Sequence, residues 1–559
     1  MEIQPSSQLG HEEVERHSVD YHPNIWEDFF IKNPPVSPKK LAFVKLRNDE
    51  LKTEVRKMLV DATDTLQSLE LIDRIQRLGV AYHFEKEINE QLLRIHNTYF
   101  DSNDLYAVAL HFRILRQQRY HISCDVFEKF CDEKGEFRCS LSSNVNALLS
   151  LYEAAYLSLP GEEILDKAKI FSKPLLETSL RNLEMPLAMM VSAALDVPLV
   201  RRVDRPRTRL YLSIYEKDSL FYKLLLDFAK LDFFILQTLY QEEVRSLSIW
   251  WRDLGLAKCF PFSRDRIVEL SFWSISIHHE PFLSGVRNMV TKLLALLSPT
   301  DDIYDNYGTI EELELFTNAI KSWEIGAVSM LPKYMQPCFL AFHKIINEFE
   351  IELEQEQYSS RVKHLIKEIK KMAQAFYEEA KWCSELYVPK LKDHLKASLV
   401  TAGHSTMSCA SYMAMTEDIP ENLFEWVTSM PPIMTSSSLI GRVMNDLASC
   451  DFDQSNRQVA STVQCYMVEH KSSKEEARMK LMEMVEEGWK IINREFMFST
   501  ISIALMQTII NITNFNVLVY KDNDHYTNSN TIMKDYITDV LVETVELDLQ
   551  KSLLSTIST

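Results

Sequence analysis

An apolar stripe that turns acidic along one helix face is the feature that most constrains this chain. Its aliphatic members recur at steps of three and four residues, which predicts the buried face of a helix. They are Leu283, Val286, Val290, Leu293 and Leu297. Continuing by four reaches Asp301 and then Asp305, in the run Asp301-Asp302-Ile303-Tyr304-Asp305. The acidic side chains are therefore predicted to share the inward side of the helix with the aliphatic ones.

Carboxylates at this spacing need a positive partner if they face an apolar cavity. Side chains four residues apart on a helix lie roughly 5–6 Å from each other. Ionised acids at that distance are costly to bury unless a cation sits among them. Mg²⁺ takes oxygen ligands and leaves coordination positions for substrate phosphates. The alternative interpretation is a solvated acidic patch at the end of a helix.

The composition favours an all-α protein of two or more domains. The chain has 559 residues, of which only 11 are glycine, and 46% are hydrophobic. Long charged and apolar segments with little alternation point to helices rather than strands. The net charge of −19 argues against binding to nucleic acid or to an anionic membrane. An anionic substrate would need a local positive cluster or bound cations.

The cysteines and the N-terminus bear on location. The nine cysteines are scattered without a CxxC pair, which favours a reducing compartment and argues against structural zinc. The first residues carry Glu2, Glu12, Glu13 and Glu15 and no apolar core, so we expect no targeting signal and a cytoplasmic protein. The apolar stretch 496–517 contains many polar residues and is predicted to be one buried helix rather than a membrane span.

The sequence divides into three regions. Residues 1–35 are predicted to form an arm, with Trp26 anchoring it in a groove. Residues 36–224 alternate helical segments with polar breaks, and their dispersed acids include no Asp-x-Asp-Asp cluster, so a non-catalytic helical domain is predicted. Residues 225–559 contain the acidic run and form the third region.

Further candidate residues lie on either side of the acidic run. Arg264 and Arg266 precede a helix, and paired guanidinium groups suit a diphosphate, although a solvated position is the alternative. Asn445, Ser449 and Asp453 follow at steps of four, which predicts one oxygen-bearing helix face. The polar segment 520–526 is either a plain loop or a lid over a cavity.

These stretches together resemble the plant class I terpene synthases, specifically the cytosolic sesquiterpene cyclase group. Arg16-His17 followed by Trp26 is similar to the N-terminal motif of that family. Arg264-Asp265-Arg266, the acidic run and the Asn445/Ser449/Asp453 set resemble its three catalytic motifs in order and spacing. The resemblance covers nearly the whole chain.

The resemblance implies two α-helical domains, of which the second, residues 225–559, is the metal-binding catalytic domain, a helical bundle around a central active-site cavity. It implies three Mg²⁺ ions, with Mn²⁺ as a possible substitute, and farnesyl diphosphate as substrate. Its implied metal ligands are Asp301, Asp302, Asp305, Asn445, Ser449 and Asp453. The diphosphate would contact Arg264, Arg266, Arg442, Asn445 and the acids Asp301 and Asp305. Catalytic roles in the hydrocarbon pocket and its closing loop would fall to Trp273, Tyr520, Asp524 and Tyr526.

The sequence departs from the family pattern at three places. Asp453 stands where Glu is usual, Asn456-Arg457 stands where Arg-Gly is usual, and Pro299 precedes the acidic run and removes a helix hydrogen bond. Two alternatives to a monomeric sesquiterpene synthase stay open. One is a chain-elongating prenyl transferase, which is expected to carry a second Asp-rich motif. The other is an all-helical scaffold without catalysis.

Overall fold

The computed structural model is built from helices. It describes residues 19–34, 36–218, 221–355, 357–416, 418–455 and 460–547, apart from the side chains of residues 450–455. Within these ranges no strand occurs, and an isolated bridge joins Cys131 to Phe137. The prediction of an all-α fold with two helical domains is confirmed.

The helices of the N-terminal half pack around cores of their own, except the first, whose Phe30 belongs to the core of the C-terminal half. They are α1 (Phe29–Lys32), α2 (Pro38–Asp61), α3 (Thr65–Arg77), α4 (Glu85–His96), α5 (Leu105–Gln117), α6 (Val145–Ala155), α7 (Glu163–Ser179), α8 (Leu187–Asp196) and α9 (Asp204–Tyr215). Short 3₁₀ turns lie between them at Ala81–His83, Cys124–Phe130, Cys139–Ser143, Leu180–Asn182 and Leu199–Arg201.

The helices of the C-terminal half surround one large hydrophobic core. They are α10 (Lys223–Leu254), α11 (Leu256–Cys259), α12 (Ile267–Ile277), α13 (Ser284–Asp302), α14 (Ile310–Ser322), α15 (Gln336–Glu354), α16 (Val362–Ser384), α17 (Leu391–Thr401), α18 (His404–Ala414), α19 (Glu421–Thr428), α20 (Pro432–Ser455), α21 (Thr462–His470), α22 (Lys474–Phe498), α23 (Ile503–Tyr520) and α24 (Ile532–Ile537). Two π-helical turns, Ile303–Tyr307 and Thr538–Val542, and 3₁₀ turns at Pro281–Leu283, Ile325–Met330 and Ser359–Arg361 complete the set.

Helix α10 joins the two halves. It is 32 residues long, and its first turns, from Leu225 to Phe234, pack into the N-terminal core. Its later turns, from Leu236 to Trp251, belong to the C-terminal core. A continuous helix that is buried in both cores holds the halves in a fixed relation. The domain boundary between residues 224 and 225 stays a prediction.

Trp26 anchors the N-terminal arm, as the sequence predicts. Trp26 is 7% exposed and packs on Phe30, with ring centroids 5.6 Å apart, in the core that contains α10. Asn24 donates a hydrogen bond from Nδ2 to Asp265 at 3.2 Å, which ties the arm to the start of α12. Arg16 and His17 lie outside the described residues.

The stretch 496–517 is two helices, and the prediction of a single helix is wrong. Helix α22 ends at Phe498 and α23 begins at Ile503. The Ser502 hydroxyl accepts from the backbone N–H of Leu505 at 3.4 Å, a cap that starts a new helix. By length and composition α23 could cross a bilayer, but 67% of it is buried inside the fold, where it forms part of the core.

Candidate active site

A cavity of about 240 Å³ lies among the C-terminal helices. Its polar end is formed by charged, amide and hydroxyl side chains, namely Arg264, Asp301, Asp305, Glu379, Arg442, Asn445, Ser449 and Asp524. Its other wall is mainly apolar, with Leu270, Trp273, Leu294, Leu297, Met372, Phe376 and Met407. One compartment therefore joins a polar mouth to an apolar interior.

The acidic run straddles the end of α13. The helix continues through Pro299 as far as Asp302, and a π-helical turn from Ile303 carries the chain onward. Gly308 closes that turn by donating its N–H to the Ile303 carbonyl at 2.9 Å. Asp301 and Asp305 both line the cavity. Both residues thus lie on the inward side that the stripe predicts.

Asp302 does not line the cavity. Its side chain is fully buried and accepts hydrogen bonds from the Ser263 hydroxyl at 2.8 Å and from the Arg264 backbone N–H at 2.9 Å. The carboxylate also pairs with the Arg264 guanidinium at 2.8 Å. Asp302 therefore fixes the segment before α12 and orients Arg264 toward the cavity.

A third carboxyl, which the sequence analysis missed, stands near the acidic run. Glu379 lies on α16, one turn after Phe376, and lines the same cavity. Burial raises the pKa values of Asp301 and Glu379, and it raises that of Asp305 well above its usual range, with repulsion from Asp301 and Glu379 adding to the shift. This crowding of like charges favours a bound cation.

The second set of predicted ligands lies on α20. Asn445 and Ser449 line the cavity one turn apart, and Arg442 donates to the Asn445 Oδ1 at 3.3 Å. The side chain of Asp453 lies outside the described part, as do Asn456 and Arg457. Among described residues, no three acidic, His or Cys side chains are grouped tightly enough to hold a metal alone. The two sets face one cavity as separate halves of a site.

The predicted arginines divide into two groups. Arg264 and Arg442 line the cavity, and Arg264 pairs with Asp301 at 2.7 Å. Arg442 pairs with Asp446 at 3.2 Å. Although burial opposes ionisation of Asp446, this partner and the hydrogen bonds it receives lower its pKa to about 2. Both arginine side chains therefore place positive charge beside the carboxyl groups.

Arg266 is not brought to the cavity wall. Its side chain is 1% exposed, and its Nη2 donates to the backbone carbonyls of His22 at 2.8 Å and Thr527 at 3.1 Å. One guanidinium therefore clamps the N-terminal arm to the segment that follows α23. That position supports the site by holding two covering segments together.

The predicted aromatic residues meet on one wall. Trp273 packs on Phe515 with ring centroids 4.6 Å apart and meets Tyr526 edge-on at 5.9 Å. The Tyr526 hydroxyl shares a hydrogen bond with the Ser298 hydroxyl at 2.6 Å. Tyr520, at the end of α23, lines the cavity as well. All three predicted aromatic residues therefore line the cavity.

Two segments cover the mouth. In the segment after α23, Asp524 lines the cavity and accepts from the backbone N–H groups of Tyr526 at 3.0 Å and Thr527 at 2.9 Å. From the arm, Tyr21 lines the cavity, lies 5.3 Å from the Arg264 guanidinium and accepts from Asn306 at 3.0 Å. The sequence analysis missed Tyr21, because nothing local shows that an arm reaches the site.

Two family models match the chain. The N-terminal domain model of terpene synthase matches residues 25–195, and the metal-binding domain model of the terpene synthase family matches residues 252–491. The segment from Arg264 to Asp453, with both predicted ligand sets, lies inside the second match.

Full-length relatives agree with these models. The β-eudesmol synthase of Zingiber zerumbet is 43% identical over 552 residues, covering 98% of this chain and 99% of its own. The α-humulene synthase of the same plant is 44% identical over 546 residues, covering 97% and 99%. The crystal structure of isoprene synthase from Populus x canescens, in complex with three Mg²⁺ ions and dimethylallyl-S-thiolodiphosphate, has a TM-score of 0.85 at 32% identity and covers 94% of this chain and 99% of that one. The chain therefore belongs to the terpene synthase family, and its full-length relatives include plant sesquiterpene synthases.

Proposed function

We propose that this protein is a sesquiterpene synthase that ionises farnesyl diphosphate and converts the resulting cation to a hydrocarbon or an alcohol. The observation that carries the proposal is the joining of a polar mouth to an apolar, aromatic-walled interior in one cavity. The mouth suits a diphosphate and the interior suits a hydrocarbon chain.

The residues at the mouth fit hard divalent cations. Their donors are oxygen atoms, and the raised pKa of Asp305 marks a site where like charges need a positive partner. Three ions would be held by Asp301, Asp305 and Glu379 on one side and by Asn445, Ser449 and Asp453 on the other. When bound, Mg²⁺, or Mn²⁺ in its place, neutralises charge on the diphosphate as it leaves.

The protein groups then have distinct tasks. Arg264 and Arg442 bind the anion by charge-assisted hydrogen bonds, and the allylic C–O bond breaks with its electron pair leaving on the diphosphate. Trp273 and the tyrosines Tyr520 and Tyr526 stabilise the cation through their ring faces, by up to about 2 kcal/mol when desolvated. The apolar wall excludes water, and loss of a proton or late capture of water ends the reaction.

The test is incubation of the purified protein with labelled farnesyl diphosphate and Mg²⁺. We expect released diphosphate and volatile fifteen-carbon products, and no product in excess chelator until Mg²⁺ is restored. A longer prenyl diphosphate made in the presence of isopentenyl diphosphate would favour a chain-elongating transferase. Absence of turnover with every prenyl diphosphate would favour the non-catalytic scaffold.

The proposal extends to a monomer that acts in the cytoplasm. A single chain supplies both predicted ligand sets and both covering segments, so one copy suffices to build the site. Gel filtration with light scattering, and fractionation of plant tissue that expresses the tagged protein, test these two statements. A stable dimer or a plastid location would contradict them.

A further inference from the structure

A buried polar cluster interrupts the apolar wall of the cavity. His404 begins α18 and Asn516 lies on α23, and both line the cavity while being 1% and 4% exposed. Ser437 on α20 and Thr513 on α23 complete the cluster and are fully buried. A hydrocarbon wall does not require these groups, so their hydrogen bonds call for a chemical explanation.

Two backbone carbonyls set the direction of every hydrogen bond in this cluster. The Asn516 Nδ2 lies 3.0 Å from the carbonyl oxygen of Ile512, which can only accept, so this atom is the amide NH₂. Its other hydrogen reaches the Nε2 of His404 at 2.7 Å, and that nitrogen must therefore carry a lone pair.

The other side of the imidazole follows in turn. The Thr513 hydroxyl donates to the Ile509 carbonyl at 2.8 Å and so accepts from Ser437, at 2.7 Å. Ser437 then accepts from the Nδ1–H of His404 at 2.6 Å. The histidine is held neutral and in one tautomer, and burial together with the nearby Arg442 lowers its pKa to about 3.

The backbone beside the ring is shaped to admit it. A Cβ atom at Gly441 of α20 would lie 2.5 Å from the His404 Nε2 and 3.2 Å from the Asn516 Nδ2. A larger residue there would displace the contact between the two side chains. The glycine thus preserves the contact with His404, one of the two hydrogen bonds that fix the orientation of the Asn516 amide.

One atom of the cluster remains without a protein partner in the described part of the chain. The Asn516 amide nitrogen is fully used, whereas its Oδ1 has no hydrogen bond there and is not sealed off from the cavity. An amide oxygen carries partial negative charge and attracts positive charge strongly where water is excluded.

We infer that Asn516, with its amide orientation fixed by His404 and the Ile512 carbonyl, is a specificity-determining residue whose Oδ1 draws the positive charge of the cation to this part of the wall. Asn516 is the residue that would touch the cation, and His404 is a positioning residue that acts through it. The inference rests on the proposed function. The position of the Asn516 Oδ1 would thereby influence at which carbon of the cation a proton is lost or water is captured.

The test compares product ratios, counted per molecule converted so that a change in rate does not enter. In Asn516→Leu, we expect the ratio of the main product to all others to change by about tenfold. Asn514→Leu, on the same helix but outside the cavity lining, is the matched control and should keep the parent ratio. If the leucine variant does not fold, Asn516→Ser gives the same reading.

A second pair of variants tests the positioning role of His404. His404→Gln keeps an acceptor for the Asn516 amide and should stay near the parent ratio. His404→Leu has a similar volume and no acceptor, which leaves the amide on the Ile512 carbonyl alone, and it should shift the ratio in the same direction as Asn516→Leu. In the Asn516→Leu background, His404→Leu should add no further change.

Two results would overturn the inference. The first is a parent-like product ratio in Asn516→Leu or Asn516→Ser. The second is an equal effect of His404→Leu with and without Asn516, which would mean that residue 404 acts by shape alone. A parent protein that makes no fifteen-carbon product would instead count against the proposed function.

Discussion

At the scale of single residues, the mouth of the cavity gathers charge at a cost to folding. Asp301, Asp305 and Glu379 all have raised pKa values because they are buried. A carboxyl whose pKa is higher in the folded than in the unfolded state favours folding only while protonated, and that contribution is lost as the pH rises. The metal-free protein is therefore destabilised at this site at neutral and alkaline pH.

Removing one of these charges should stabilise the metal-free protein. We expect Asp305→Asn to raise the Tm at pH 8 in chelator by about 2 °C or more, because repulsion among the carboxyls is relieved. The gain should shrink at acidic pH, where Asp305 of the parent is protonated. Differential scanning calorimetry measures both, with the exposed Asp49→Asn as control. A lower Tm for Asp305→Asn at pH 8 would contradict the crowding.

The same acids should be indispensable for turnover. Asp301→Ala removes an inward carboxylate and the partner of Arg264, and we expect its kcat to fall by at least about 100-fold. Circular dichroism should show an unchanged helix content, since the residue belongs to the cavity rather than to the core. Undiminished turnover of this variant, or of the parent in excess chelator, would reject the assigned ligands.

Asp453 is the predicted ligand whose residue type differs from the one expected at this position of the family pattern. A shorter carboxylate reaches an ion either by a closer helix or through a water molecule. We expect Asp453→Glu to retain activity and to change the apparent Mg²⁺ affinity by less than about tenfold, while Asp453→Ala loses most activity. Titrating each variant with Mg²⁺ gives both values. An alanine variant with the kinetics of the parent would show that residue 453 is no ligand.

At the scale of elements, the segment between α23 and α24 is a structured turn over the mouth. Asp524 holds the backbone N–H groups of Tyr526 and Thr527, and Arg266 holds two carbonyls of the same residues. Each hydrogen bond of this kind contributes about 1 kcal/mol. We therefore predict that the turn closes over a substrate only while its acidic anchor is in place.

Loss of that anchor should change the products before it stops ionisation. We expect Asp524→Ala to release diphosphate but to divert product toward acyclic alcohols, because water enters a poorly covered cavity. Tyr526→Phe, which loses the bond to Ser298, should mainly change the product ratio. Gas chromatography with parallel diphosphate measurement checks both.

The control for the turn lies within it. Asp522 has a side chain that is 68% exposed and does not line the cavity, so Asp522→Ala should keep the parent profile. If Asp524→Ala gives the products of the parent at the parent's rate, the segment is a connector and has no role in closure.

The helical spacing of apolar residues correctly predicted the features that depend only on residues close together in the chain. The stripe from Leu283 to Leu297 placed Asp301 and Asp305 inward because a helix face repeats regardless of its partners. The π-helical turn after Asp302 could not be read in this way, since it depends on contacts beyond the helix. Glu379 follows the same apolar spacing on α16, but an adjacent Glu378 and nearby lysines obscured it.

Contacts between residues far apart in the chain limit what the sequence can predict about the arginines and the N-terminal arm. Whether Arg266 points to the cavity or to backbone carbonyls depends on His22, which is 244 residues away in the chain. Tyr21 reaches the cavity through that same connection. Neither the orientation of Arg266 nor the position of Tyr21 could be predicted from local spacing, because no residue close in sequence indicates where the arm contacts the C-terminal half.

At the scale of the whole molecule, two helical cores share α10, and the cavity lies in the second. The Gln237 side chain on this helix donates to the Val540 and Glu543 carbonyls, each at 2.9 Å, so the last helical turns are also tied to it. The helices that line the cavity are therefore part of one packed core. Substrate length is therefore the property of the whole molecule that tests the account.

The most direct measurement is a comparison of kcat/KM for prenyl diphosphates of ten, fifteen and twenty carbons, made side by side with Mg²⁺. A cavity that fits one chain length should discriminate against one isoprene unit more or less by at least about tenfold. The account predicts the highest value for the fifteen-carbon farnesyl diphosphate, with volatile fifteen-carbon products. A clear preference for the ten- or twenty-carbon ester would contradict the sesquiterpene assignment.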